Sequence, residues 1–438
     1  MISRENRLNR RGFLQQSFAG AALAGFATVP RHVLGGAGHL PPSEKLNIAG
    51  IGMGNRGWTV IRQMEAHNIV AICDVDANYL GKASERYPNA RKYNDFRKLI
   101  DWEENSIDAV TVCSPDHTHA PASMAALRAG KHVYCEKPLT HNVYEARTMA
   151  KAARETGLAT QMGNEAHSGR NYRRVVELIR SGAIGEIREV HIWRELGSEP
   201  RYRPRETPPV PPNLNWDLWL GPAPERPYHS CYHPVQWRHW WDFGNGQLGD
   251  MGCHLLDLPF WALDLKYPTT VETVGPPAHP EMYPRSLTAR WTFPARNNQP
   301  PVELTWYDGG KKPPMWEEGT FPSWSEGVLF VGAEGMLFSH FGRYELHPRQ
   351  KFAGFEPPPQ TIPGPISHAQ EWLTACKTGS PTGTHFGYTG PLTETVLLGT
   401  VAYRTGQKLE WDAVNLKVTN CPEANEYIQR EYRKGWTL

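Results

Sequence analysis

Between residues 45 and 162, short apolar runs rich in β-branched side chains alternate with longer amphipathic stretches, and no other feature limits the fold so severely. The runs occupy 46–51, 69–73, 109–113, 132–135 and 159–162, while helical spacing fills 57–66, 95–103, 120–129 and 143–156. Runs that are apolar at every position, not every second one, are strands buried on both faces. Their alternation with helices gives a parallel sheet covered on either side. The chain is therefore expected to be α/β and to open on a parallel-sheet domain over 41–165.

Past Gly163 the rhythm changes. A helix at 170–181 leads into a strand at 187–193. A proline- and tryptophan-rich stretch then runs from 199 to 241, with prolines at 200, 204, 208, 209, 211 and 212. A loop that long is usually functional or a linker, and Trp216, Trp219, Trp237, Trp240 and Trp241 argue against a solvated linker. Strands are expected at 287–293, 302–307, 327–331 and 336–339, with helices near 367–378 and 393–405. Successive strands of this kind form a meander. The second domain, 166–438, is thus expected to be α/β around a large, mostly antiparallel, open-faced sheet.

Apolar residues at 39% and charged residues at 21% are ordinary for a folded enzyme. A net charge of +2 with no basic stripe excludes nucleic acid as an expected partner. The sixteen tryptophans suit a core, but also sugar rings, whose C–H faces are apolar. Arg10-Arg11-Gly12-Phe13-Leu14, preceded by Arg4 and Arg7 and followed by a small-residue apolar run over 18–29, reads as a twin-arginine signal within a 1–40 leader. Export to the periplasm is the expectation. No stretch offers the roughly 20 apolar residues of a stable membrane span. The seven cysteines include no C-x-x-C pair, so neither a zinc cluster nor a disulfide framework is expected.

Three motifs carry chemistry. Gly52-Met53-Gly54-Asn55-Arg56-Gly57 follows the first strand and opens a helix. Glycines there permit a tight turn and bring backbone N–H groups and a helix N-terminus to a pyrophosphate. Asp74, ending the next strand, is positioned to accept the ribose hydroxyls and to repel a 2′-phosphate, so NAD is favoured over NADP. Arg56 is the one nearby cation that argues the other way. Cys135-Glu136-Lys137-Pro138 ends a further parallel strand, which directs Lys137 to the same crevice. An ammonium there can hold a hydroxyl oxygen as negative charge develops on it. In Gly249-Asp250-Met251-Gly252-Cys253-His254 the Asp and His are four residues apart, on one helix face. Histidine is suited to take the hydroxyl proton, and a carboxylate can orient it.

With Ser-Pro-Asp-His-Thr-His at 114–119, Gln-Trp-Arg at 236–238, Trp-Asp-Leu-Trp-Leu-Gly-Pro at 216–222 and Gly-Pro-Leu-Thr-Glu at 390–394, these motifs resemble the glucose–fructose oxidoreductase/inositol dehydrogenase (Gfo/Idh/MocA) family, in its twin-arginine-exported branch. The resemblance spans about residue 45 to the C-terminus. It implies a Rossmann domain holding NAD(H) or NADP(H) and a catalytic trio of Lys137, Asp250 and His254. It also implies that Ser114, Asp116 and His119 line the nicotinamide end beside Glu136, and that the open sheet makes homo-oligomer contacts. Position 116 is usually Asn in this family, which puts the ribose contact of Asp116 in question. His117-x-His119 has no Cys or acidic partner at ligand spacing, so no metal is expected.

The expected activity is hydride transfer between a ring carbon of a sugar, glycoside or polyol and a tightly held nicotinamide cofactor. Asn164, His167, Trp237, Arg238 and Trp240 are the candidates for holding that substrate. Two alternatives stand beside it. One is net glycoside hydrolysis through transient C3 oxidation and elimination; the other is a non-catalytic sugar-binding protein on the same fold.

Overall fold

The computed structural model describes residues 40–197, 202–297, 299–316, 319–364 and 366–438. The paired arginines Arg10 and Arg11, the apolar run behind them, and Glu199 and Pro200 at the head of the proline-rich stretch lie outside the described residues. Residues 42–44 form a short 3-10 turn, and Leu46–Leu438 forms one compact unit.

Six parallel strands make the first sheet: β1 (Asn47–Ile51), β2 (Asn68–Cys73), β3 (Arg91–Tyr93), β4 (Ala109–Val112), β5 (His132–Cys135) and β6 (Thr160–Met162). Their order is β3-β2-β1-β4-β5-β6. Helices connect them: α1 (Asn55–Arg62), α2 (Ala77–Arg86), α3 (Phe96–Glu103), α4 (Asp116–Arg128) and α5 (Val143–Thr156). The order reverses between β1 and β4, and ligands bind outside the carboxyl ends of strands at such a switch point. Local sequence supports the long elements directly. Asn142 and Glu145 form a reciprocal capping box at the start of α5, and Gly157 closes that helix in the left-handed region.

Expectation and structure differ where a segment lacks a clear apolar face. The helix expected at 120–129 begins at Asp116, because Asp-His-Thr-His is buried on every side and shows no amphipathic period. The helix expected at 393–405 begins at Phe386, its first turns masked in sequence by the poor helix formers Gly387, Gly390 and Pro391. Helix α1 spans Asn55–Arg62 instead of 57–66, and its last turn closes through Met64 N–H to the Ile61 carbonyl. Strand β3 is three residues of Arg-Lys-Tyr at a sheet edge, too short and polar for a sequence signal.

The second sheet has nine strands: β7 (Ile187–Arg194), β8 (Thr270–Val274), β9 (Thr288–Phe293), β10 (Val302–Tyr307), β11 (Glu326–Gly332), β12 (Gly335–Ser339), β13 (Tyr344–His347), β14 (Leu409–Asp412) and β15 (Lys417–Val418). The order is β13-β12-β11-β7-β10-β9-β8-β14-β15, and only the β7–β10 pairing is parallel. Helices α6 (Arg170–Arg180), α7 (Trp216–Leu220), α8 (Gly246–Ala262), α9 (His368–Thr378) and α10 (Phe386–Thr405) accompany this sheet, and one face packs on α8 and α10. The other carries the charged row Glu272, Arg290 and Glu303. Among the described residues no helix is long and apolar enough to cross a membrane.

Candidate active site

The turn after β1 sets the floor of a cleft of about 1220 Å³, mouth included, that runs along the carboxyl ends of the parallel strands. Gly52 has φ +81°, and a Cβ there would lie 2.6 Å from the Cys113 carbonyl carbon. A Cβ on Gly57 would lie 1.7 Å from the Gly52 carbonyl oxygen. Only glycine closes this turn, which leaves backbone N–H groups and the N-terminus of α1 facing the cleft. Gly54, Asn55 and Arg56 line it as well. These residues fit the pyrophosphate of a dinucleotide.

At the next strand end, the Asp74 carboxylate accepts from Met53 N–H at 2.7 Å and from Asp76 N–H at 2.9 Å. Burial pushes its pKa up to about 6, with those N–H groups opposing. Each carboxylate oxygen still has a lone pair for a ligand hydroxyl. Arg56, the candidate for a phosphate, is instead held by Glu136 and Glu165, both at 2.8 Å. Glu136 is buried and thereby braces the glycine turn against the end of β5.

Ser114, Asp116 and His119 surround the start of α4 and line the cleft. Ser114 Oγ accepts from Thr118 at 2.7 Å. His119 has its ring nitrogens 2.8 Å from the Pro138 carbonyl and 2.7 Å from the Ser114 carbonyl. Burial lowers its pKa to about 4, so the neutral ring donates to one of them. Asp116 is buried, and that burial raises its pKa well above the ordinary value; Arg238 and Lys137 oppose this, and Asp250 adds to it.

Lys137 and Arg238 line the cleft beside Asp116, whereas Asp250 and His254 are not among its lining residues. Lys137 Nζ donates to Asp250 Oδ1 at 2.6 Å and to the Asp250 carbonyl at 2.8 Å. Arg238 Nε donates to the same Oδ1 at 3.3 Å, with its guanidinium 4.3 Å from the Trp237 ring. Burial alone would raise the pKa of Asp250, but Lys137 and Arg238 outweigh it and hold the carboxylate well below its usual range. His254 lies one helical turn further along α8. Burial first, then the Lys137 charge, lowers its pKa to about 3 while Asp250 pulls the other way. Its Nδ1 is shielded from solvent and has no protein partner.

The five substrate candidates separate. Trp237 and Arg238 line the cleft. Trp240 does not: its indole N–H donates to the Cys231 carbonyl at 3.0 Å, and its ring packs in the loop's own aromatic core. His167 does not either, because its Nδ1 is 3.0 Å from both Asp257 oxygens and its ring stacks on Trp261 at 3.9 Å. Asn164 is fully buried and donates to the Cys253 carbonyl at 2.9 Å. Sequence reasoning missed Tyr79, Phe96, His233 and Trp436 in the cleft wall. Trp436 arrives from the far end of the chain, and no local pattern announces it. All seven cysteines are free thiols.

A parallel sheet that offers a glycine turn at its switch point, and a lysine–carboxylate pair beyond it, defines a class: dinucleotide-dependent oxidoreductases. The chain belongs to the GFO/IDH/MocA oxidoreductase family. Residues 46–164 match its NAD-binding Rossmann fold and residues 171–291 its C-terminal alpha/beta domain. The myo-inositol 2-dehydrogenase of Thermotoga maritima is 29% identical over 158 residues, 35% of this chain and 46% of that relative. Glycosyl hydrolase family 109 protein 1 of Shewanella sp. (strain MR-4) is 27% identical over 209 residues, 42% of this chain and 45% of that relative. The matches thus span about half the length of these curated relatives. Among solved structures, the WlbA dehydrogenase from Bordetella pertussis, in complex with NADH and UDP-GlcNAcA, shares the fold. Its TM-score is 0.59 at 16% identity, covering 84% of this chain and 99% of that one. The aldose-aldose oxidoreductase from Caulobacter crescentus, complexed with glycerol, has a TM-score of 0.55 at 18% identity, covering 84% and 100%.

Proposed function

We propose that the protein is a dehydrogenase of a sugar, glycoside or polyol, with Lys137, Asp250 and His254 as its catalytic residues and NAD as its cofactor. The observation that carries this reading is the Lys137–Asp250 pair at 2.6 Å, one helical turn from a neutral histidine. NAD in the cleft supplies the acceptor for a carbinol hydrogen and its electron pair. Lys137 donates to the substrate hydroxyl oxygen and stabilises negative charge on it. His254, uncharged across the physiological range, takes the hydroxyl proton. Asp250 anchors Lys137 and favours the charged imidazole once it forms. Trp237 and Arg238 offer an apolar face and a guanidinium to a ring and its hydroxyls. Asp74 with Arg56 already neutralised supports NAD over NADP, since a 2′-phosphate meets a carboxylate and an arginine held by two glutamates.

Relatives named for inositol dehydrogenation support the substrate class. Relatives named as family 109 glycosyl hydrolases support a second reading, net glycoside hydrolysis by transient oxidation, elimination and return of the hydrogen. The assembled charge cluster argues against a non-catalytic sugar-binding protein. The arginine pair at 10–11 supports twin-arginine export and a periplasmic location, and the open face of the nine-stranded sheet supports a homo-oligomer.

Denaturing the purified protein and identifying the released dinucleotide tests the cofactor assignment. Incubating the intact protein with polyols and aryl glycosides tests the reaction. A ketosugar with lasting absorbance at the reduced-nicotinamide band supports oxidation, and free aglycone without it supports hydrolysis. A protein that holds no nucleotide and leaves every substrate unchanged overturns the proposal.

A further inference from the structure

We infer that a second cleft, separate from the dinucleotide cleft, is a binding site for a small organic oxyanion. It occupies about 1270 Å³, mouth included, between the start of α5, the C-terminal half of α10 and residues 426–431. Its interior presents hydrogen-bond donors that the protein leaves without acceptors. The Arg404 guanidinium stacks 4.1 Å from the Tyr427 ring and 5.3 Å from the Trp241 ring. It faces the cavity and has no hydrogen-bond partner among the described residues. Arg430 spends Nε and Nη2 on Glu145 and on the His117 carbonyl, yet its Nη1 is shielded from solvent with no acceptor. His141 lines the same wall, kept neutral chiefly by burial and then by the charge of Arg430.

The carboxylates around the cleft do not supply what is missing. Asp242 lines the cleft and attracts the Arg404 charge, but makes no hydrogen bond to it and is ion-paired with Arg226. Glu426 and Glu431 are exposed at the rim. The buried Arg430 Nη1 is the unfavourable case, since buried donors without acceptors are rare in folded proteins, while the part-exposed Arg404 offers its donors at the cavity wall. A carboxylate or phosphoryl group would accept from both guanidinium groups in charge-assisted bonds. Leu397, Val401 and Pro224 complete the lining, so an apolar body attached to that group is accommodated. The site adjoins the catalytic segments: Asn245, at the head of α8, donates to the His141 carbonyl at 3.0 Å, and His141 follows Lys137 by four residues. An occupant therefore braces both without touching the reacting atoms.

The test is calorimetric titration of the dinucleotide-loaded full chain, so that the glycine turn is already filled, with succinate and with inorganic phosphate as separate probes. Saturable binding of either supports the site. Succinate alone assigns a carboxylate ligand, and phosphate alone a phosphoryl one. Arg404→Gln should weaken the bound probe roughly tenfold or more, while Arg404→Lys, which keeps the charge but not the planar fork, falls between. Both variants should melt like the unliganded wild type. The inference is overturned if neither anion binds the wild type up to about 10 mM, or if Arg404→Gln binds as tightly as wild type.

Discussion

Helix α8 carries two aspartates, each associated with a histidine, and the two pairs have opposite fates. Asp257 is fully buried, with His167 Nδ1 3.0 Å from each oxygen and the Tyr388 hydroxyl donating at 2.6 Å. The His167 ring is capped by Trp261. Asp250, seven residues earlier, keeps 27% of its side chain exposed and is bound by two cations, Lys137 and Arg238. The Nδ1 of its histidine, His254, has no protein partner. Two aspartates on one helix thus take part in a closed packing joint with His167 and in a charged cluster whose neighbouring imidazole keeps a nitrogen without a protein partner. Under the proposed function, the difference is that the second cluster has hydrogen-bonding capacity left over for a ligand.

The contrast breaks first on activity. Lys137→Ala and His254→Ala should each lower kcat by roughly 10²–10⁴-fold, with dinucleotide content after purification unchanged. Normal turnover by either variant would remove the distinction between the two pairs. Stability gives the next largest effect. Asp257→Ala strands the buried His167 and Tyr388 hydroxyl and should cost about 3 kcal/mol in urea unfolding, while kcat per folded molecule falls far less than in Lys137→Ala. A stable Asp257→Ala protein that has lost all activity would assign the reaction to the wrong pair.

The smallest effect sharpens the comparison through pH. His254 and His117 are lowered to about 3 and His119 to about 4 from an ordinary 6.5, chiefly by burial. The unfolded chain therefore binds more protons than the folded one between these values. Stability from these rings is fully present above about pH 6.5 and is lost as pH falls toward 3. Melting temperature should decline across that interval, and His254→Gln should flatten part of the decline. An identical profile in the variant would mean that His254 is not held neutral by its surroundings.

Much of the first sheet was legible because its strands are apolar at every position and its helices are amphipathic. Helix α5 appears with the expected bounds, 143–156, since its capping box and terminal glycine are local signals. The extra turns of α4 were not legible because a segment buried on all sides has no apolar period to detect, and those of α10 because Gly387, Gly390 and Pro391 read as helix breakers. In the site, Gly52, Gly57, Asp74 and Lys137 were readable from spacing at strand ends. Trp240 and His167 misled for one reason: an aromatic or imidazole in sequence does not disclose whether its polar atom is already satisfied, here by Cys231 and by Asp257.

By itself, then, the sequence determined the alternation of strands and helices, the glycine turn and the four-residue spacing of Asp250 and His254, all of which are set by residues close together in the chain. Tertiary structure alone decided that Lys137 crosses 113 residues to reach Asp250, that Arg56 is occupied by two carboxylates, and that Trp436 closes the cleft. Such contacts arise from how elements stack, and the burial that lowers the pKa of His254 and His119 exists only once they have done so.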